Sequence, residues 1–168
     1  MNEFDSIEDH FARYARQLTE DPSARLAALR NCSFFEPVPD DLLQRMSQMA
    51  QVKTFHSDVS VTSQDEEMAA FYVILYGTAE AYRNGKLVGT IETGDCFGEG
   101  IFFAGGTITA SATVIAEDKF IAAEFSKAIV EDMHSDPQAM VSMNKALLLA
   151  LFKKLNGANR KIERLMLA

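Results

Sequence analysis

Phe97-Gly98-Glu99-Gly100-Ile101-Phe102-Phe103 is the stretch whose residue types best fit a binding chemistry. Two glycines flank a carboxylate and an apolar group follows. Glycine lets a backbone approach a ligand closely, and the N–H groups at a first helical turn, lacking internal partners, can donate to phosphate oxygens. Such a turn between two strands suits an anion and leaves the Glu99 carboxylate to accept from hydroxyls. Thr107, Thr109 and Ser111 supply neutral donors just downstream. The same pattern taken alone is also that of a plain barrel corner.

The other reactive side chains do not assemble into a motif. His10, His56 and His134 fall in three separate regions, without the paired histidines and nearby carboxylate of a metal enzyme of the cupin type. Neither Ser111 nor Cys96 has a histidine close in sequence, and no nucleophile elbow occurs. Cys32 and Cys96 lie far apart and read as reduced, partly buried thiols. Asp65-Glu66-Glu67 sits among polar residues, as a solvated loop does, with no apolar pocket to separate two carboxyl pKa values. The expectation is a protein that is not an enzyme and holds no metal or cofactor.

Composition narrows the partners. The 168 residues carry 16 Lys+Arg against 24 Asp+Glu, a net charge of -8. That field repels polyanions, so nucleic acid is disfavoured. Hydrophobic residues at 48% and charged residues at 24% are those of one globular domain. The acidic start Met1-Asn2-Glu3-Phe4-Asp5 lacks the basic-then-apolar order of a signal peptide, and no run approaches the roughly 20 apolar residues of a membrane span. A cytoplasmic protein without membrane contact is expected.

Three segments must position the turn. Residues 1–50 read as helical. Phe4, Ile7, Phe11, Tyr14 and Leu18 recur at steps of three and four, Asp21-Pro22 opens a short helix with Leu26 and Leu29, and Asp40 is placed to cap another with Leu42, Leu43, Met46 and Met49. Residues 51–134 change to short β-prone runs at close spacing, a compact barrel with the glycine-rich turn inside 97–114. Phe71 to Leu75 reads as an apolar strand ended by Gly77, and Asn84-Gly85 is a strong hairpin signal leading into Lys86–Ile91. Residues 135–168 are helical again from the Ser135-Asp136-Pro137 start. Val141, Leu148, Leu151, Leu155, Ala158, Ile162 and Leu165, with Asn144 counted between the first two, form a heptad seam over residues 141–165. The seam serves either a homodimer or the chain's own barrel, and Gly157 weakens the helix by about 1 kcal/mol relative to alanine, inviting a hinge.

Several ordered motifs carry a resemblance: Phe71-Tyr72-Val73-Ile74 before Gly77, then Gly94-Asp95-Cys96-Phe97-Gly98-Glu99, then Ser111-Ala112-Thr113-Val114 with Ala116 beyond. From about Phe34 onward the sequence resembles the cyclic-nucleotide-binding domain family. That implies a mainly β fold, a β-roll of jelly-roll type with N-terminal helices and a long C-terminal helix, and a regulatory function with cAMP or cGMP as ligand. It also implies a phosphate-binding cassette in which Gly98, Glu99, Gly100 and Ile101, then Thr109, Ala110 and Ser111, line the ligand, with Glu99 accepting from the ribose 2′-hydroxyl.

The family's arginine, which precedes the position of Ser111, is replaced by Ala110, and no Arg or Lys occurs from Gly89 to Asp118. A hydrogen bond to a charged group is worth roughly 1.5–3 kcal/mol, so the loss weakens affinity about tenfold to a hundredfold. Gly105-Gly106-Thr107-Ile108-Thr109 also lengthens the cassette. Lys153 or Lys154 could swing over as a lid cation. The rival expectation is a fold that has lost its nucleotide and acts as a dimeric scaffold for an unidentified protein partner. No helix-turn-helix follows the last helix in this sequence, so output is expected through the barrel surface, the N-terminal helices or the seam.

Overall fold

A computed structural model describes residues 3–103 and 107–167 of the chain, with side chains from Ile7 onward. Helix α1 (Glu3–Glu20) follows from the apolar row of the sequence. Phe11 and Leu18 are buried and Tyr14 is half-buried, but Ile7, one turn before Phe11, is 53% exposed. The side chain of Phe4 lies outside the described residues.

Helix α2 (Pro22–Arg30) starts as the Asp21-Pro22 pair dictates: the Ser23 N–H donates to Asp21 Oδ1 at 2.8 Å. A 3₁₀ turn at Ser33–Phe35 then buries two phenylalanines ahead of α3 (Asp40–Met49). Asp40 does not cap α3. Pro39, at ψ 149°, holds the capping position, and the Asp40 carboxylate instead accepts from Arg30 Nε and Nη2 at 2.8 Å each.

The sheet comprises β1 (Gln51–Phe55), β2 (Ser60–Thr62), β3 (Ala70–Arg83), β4 (Lys86–Ile91), β5 (Cys96–Phe97) and β6 (Thr113–Ser126). All named strand pairings are antiparallel, in the order β1-β6-β3-β4, with β2 added to β6 and β5 to β3. Because side chains alternate along a strand, β3 and β6 are apolar on both faces. Phe71, Val73, Leu75, Ile121, Ala123 and Phe125 face a large cluster shared with the helices, whereas Tyr72, Ile74, Phe120 and Ala122 face a second cluster with Phe97, Val114 and Ile91. These features make a β-roll flanked by helices.

Gly77 bends β3 rather than ending it. The strand runs on to Arg83 through register shifts on either side of that glycine, where φ is +87° and a Cβ would lie 2.4 Å from the Lys119 carbonyl oxygen. Position 77 therefore has no room for a side chain, and the long strand curls there.

A short helix α4 (Lys127–His134), begun by Ser126 accepting from the Ile129 N–H, precedes α5 (Pro137–Met166). The last eight residues of the segment 51–134 expected as barrel are thus helical. Helix α5 opens on Asp136, whose carboxylate accepts from the Gln138 and Ala139 N–H groups, and runs unbroken through Gly157. Ala139, Met143, Ala146 and Leu147 pack on the core, while Val141, Leu148, Leu155, Ile162 and Leu165 are more than half exposed. The seam therefore does not cover the chain's own barrel; a different stripe of the same helix does. No helix among the described residues is long and apolar enough to cross a membrane.

Candidate anion-binding site

Strand β5 is only two residues long and delivers the chain to Gly98, at φ +78°. A Cβ there would sit 2.7 Å from the Ala70 carbonyl oxygen, so only glycine lets the turn lie this close to β3. Glu99–Phe102 form the expected one-turn helix, of 3₁₀ type. The Ile101 N–H donates to the Gly98 carbonyl at 3.3 Å and the Phe103 N–H to that of Gly100 at 3.0 Å. The N–H groups of Glu99 and Gly100 donate to no acceptor among the described residues.

The apolar residues of the turn anchor it. Ile101 and Phe102 are buried, Phe102 meeting the Phe71 ring edge-on at 5.1 Å, whereas Phe103 is 54% exposed. Phe102 is thus a plug, and Ile101 belongs to the core rather than to a ligand-facing surface. His134 pins the far end of the turn, its Nε2 2.9 Å from the Phe102 carbonyl oxygen and its Nδ1 2.9 Å from that of Val130.

The downstream limb is committed to backbone pairing. The Met68 N–H donates to the Ile108 carbonyl at 2.9 Å, the Ala110 N–H to that of Glu66 at 2.8 Å and the Asp65 N–H to that of Ala110 at 2.8 Å. The acidic run 65–67 is indeed a solvated loop, and it ties down the cassette. Ala110 is 5% exposed in the same apolar cluster as Met68, Ile101 and Phe102, so both its backbone groups and its methyl are spoken for. Ile108 Cδ1 lies 3.0 Å from where a Gly100 Cβ would stand. Thr109 and Ser111 are exposed, and their hydroxyls bond to no described residue. Gly105 and Gly106, the extra length of the cassette, lie outside the described residues.

Cations reach the site from α5. Lys154 Nζ is 2.5 Å from Glu99 Oε1, and Lys153 Nζ is 2.5 Å from Asp95 Oδ1 in the turn before β5. The Glu99 side chain is only 13% exposed, so the pair it makes with Lys154 is largely sheltered from water. Behind it, burial pushes the Cys96 thiol up to about 12 against the pull of Lys154, and burial does the same to Cys32. Neither thiol is an ionised nucleophile. His10 and His56 stand on or beside α1's packing surface, and no described His, Cys, Asp and Glu side chains form a metal-holding group of three. The sequence carried no signal for the Ile108 contact with Gly100 or for the His134 clamp, since both depend on residues brought together from separate elements.

A family model described as the cyclic nucleotide-binding domain matches residues 52–136, half of the chain. Among solved structures, the sensor domain of the transcriptional regulator DNR from Pseudomonas aeruginosa is similar at TM-score 0.60 and 23% identity, over 87% of this chain and 94% of that one. The regulatory subunit of a cAMP-independent protein kinase A from Trypanosoma brucei, in a triple mutant bound to cAMP, is similar at TM-score 0.67 and 17% identity, over 90% of this chain and 53% of that one. The c-di-GMP responsive regulator CLP of Xanthomonas campestris is similar at TM-score 0.65 and 16% identity, over 76% of this chain and 65% of that one. No curated protein matches by sequence. The matched segment opens in β1, takes in the roll and the whole cassette and ends at the cap of α5, and on that ground the chain belongs to the cyclic nucleotide-binding domain family.

Proposed function

We propose that the protein is a regulatory, non-catalytic sensor whose Gly98–Glu99 turn takes a cyclic nucleotide, cAMP or cGMP, or an anion of similar shape, and that it signals through α5 as a homodimer joined along residues 141–165. The observation that carries this reading is that the N–H groups of Glu99 and Gly100 have no partner among the described residues and stand beside a nearly buried carboxylate. Two adjacent backbone donors favour a phosphate, and the carboxylate favours a ribose hydroxyl. Lys154 reaches the site from α5, but its ammonium is taken up by the Glu99 carboxylate. Serine and threonine hydroxyls at 109 and 111 face solvent, ready to donate. Occupation of the turn would shift α5 between two positions, because the helix touches the cassette directly.

A second reading, a scaffold without nucleotide, is favoured by one observation: Ala110 is buried in the main apolar cluster, and both its backbone groups are paired with Asp65 and Glu66. The similar kinase subunit from Trypanosoma brucei is cAMP-independent, and the form of it bound to cAMP carries a substitution that introduces an arginine. Thermal unfolding with cAMP, cGMP and c-di-GMP separates the two. A ligand at one hundred times its dissociation constant adds about 2.7 kcal/mol, which raises the midpoint of a chain this long by roughly 5–10 °C. No shift with any of them at millimolar concentration leaves the scaffold. Ala110→Arg then reports on the pocket: a guanidinium among apolar side chains lowers the ligand-free midpoint, and cAMP restores it only where a phosphate can meet it.

A further inference from the structure

Helix α5 changes character at Leu147. Up to that residue it is bound to the core by buried apolar side chains. Beyond it Ala150 still packs against the core, but Leu148, Leu149, Leu151, Phe152, Leu155 and Ile162 all lie exposed, so apolar burial does little to hold the distal half to the roll. What touches the roll there is lysine: Lys153 on Asp95, Lys154 on Glu99, and Lys161 donating to the Val88 carbonyl on β4. The helix carries six basic residues against the single acid Glu163, in a chain whose net charge is -8. A basic rod therefore lies on an acidic body.

We propose that Lys153, Lys154 and Lys161 form an ionic latch that holds the distal half of α5 against the cassette, and that the latch is autoinhibitory because Lys154 occupies the carboxylate a ligand needs. Lys154 and Lys161 are seven residues apart and so share a face two turns apart, which lets one helix bridge the cassette and the β4 edge. The Lys154–Glu99 contact is the firmest of the three. Glu99 is 13% exposed, against 23% for Asp95, and an ion pair sheltered from water is screened least by salt. A ligand hydroxyl on Glu99 removes that anchor, and the two remaining exposed contacts hold the helix weakly. Release of the distal half is then the output.

The holding of α5 needs no ligand, whereas its inhibitory role rests on the cassette being a ligand site, and one experiment keeps these apart. Spin labels at Thr90→Cys on β4 and Asn159→Cys on α5 report the distance by double electron–electron resonance, with excess unlabelled protein so that only pairs within one chain are read. Cys32 and Cys96 are buried and do not compete for label. The ligand-free protein gives a narrow distribution. Lys153→Ala/Lys154→Ala raises the released fraction roughly tenfold, the effect of losing two partly exposed pairs. Glu99→Lys broadens the distribution in the same way, and Glu99→Lys/Lys154→Glu restores it. An unchanged distribution in the double-alanine protein, or a charge swap that does not restore the narrow one, overturns the latch. Isothermal titration with cAMP, cGMP and c-di-GMP on Lys154→Ala then reads the inhibition. Tighter binding than in the unsubstituted protein supports it and equal or weaker binding refutes it, while loss of binding in every form removes the sensor reading and leaves the latch standing on the distances.

Discussion

Gly98 occupies the left-handed region at φ +78°, with the Ala70 carbonyl oxygen 2.7 Å from the missing Cβ. Gly98→Ala brings a backbone penalty of about 1–2 kcal/mol and a contact with β3 that only a shift of the turn relieves. The expected loss is about 2–4 kcal/mol, a midpoint lower by roughly 5–15 °C, read by calorimetry. A drop under about 2 °C would mean that the turn is not pressed against β3. The thiols give a second residue-scale prediction. Burial pushes Cys32 and Cys96 up to about 12, from an ordinary value of about 8.5 in the unfolded chain. The folded state thus keeps its protons where the unfolded state loses them. Their contribution to stability is fully present below pH 8 and is lost as pH rises from about 9 toward 12, at about 1.4 kcal/mol per unit for each thiol. Burial also raises Tyr72, with Glu124 beside it adding to the shift, so the alkaline loss steepens further. Urea titrations from pH 7 to 10 check the sign, and both thiols are expected to resist Ellman's reagent at pH 8 until the protein unfolds.

Helices with a strong start were plain in the sequence because their signals are local. Asp21-Pro22 and Asp136-Pro137 each place a carboxylate on orphan N–H groups and a proline where its missing donor costs nothing. The hairpin at Asn84-Gly85 was legible for the same reason, both residues adopting positive φ. Asp40 misled because Arg30, ten residues away in sequence, claims its carboxylate. Gly77 misled because the oxygen that forbids a side chain there belongs to Lys119 on another strand. The cassette was readable as a motif, yet the sealing of Ala110 depends on the loop 65–67 crossing over it, which no spacing announces. Gly157 shows the limit of propensity: it lowers helix stability, yet α5 runs through it. Nothing lies within 4 Å of its absent Cβ. Gly157→Ala therefore adds about 1 kcal/mol of local helix stability and creates no clash. Because α5 beyond Ala150 is not packed on the core, the gain appears as slower amide exchange over residues 151–166 with little change in global midpoint. A midpoint rise above about 3 °C would show instead that the distal helix folds as one unit with the roll.

At the scale of the whole molecule, salt acts in opposite directions on the two surfaces of α5. The row Val141, Leu148, Leu155 and Ile162, each seven residues from the next, is 54–71% exposed, an apolar stripe at heptad spacing that the single chain leaves uncovered. Two copies joined along this row bring together two basic helices, since Lys154 and Lys161 immediately precede Leu155 and Ile162. The flanks repel while the seam attracts, so association should tighten as the Debye length falls from about 10 Å at 0.1 M salt to about 3 Å at 1 M. The same screening weakens the lysine contacts with Asp95 and Glu99. Sedimentation velocity from 0.05 to 1 M NaCl is expected to show the dimer fraction rising with salt. Leu148→Glu/Leu155→Glu is expected to be monomeric at every salt concentration and to keep its melting midpoint within about 2 °C, because neither leucine contributes to the core. An unsubstituted protein that stays monomeric at 100 μM in 1 M NaCl, or a glutamate variant that still dimerises, would rule out the seam as a dimer interface.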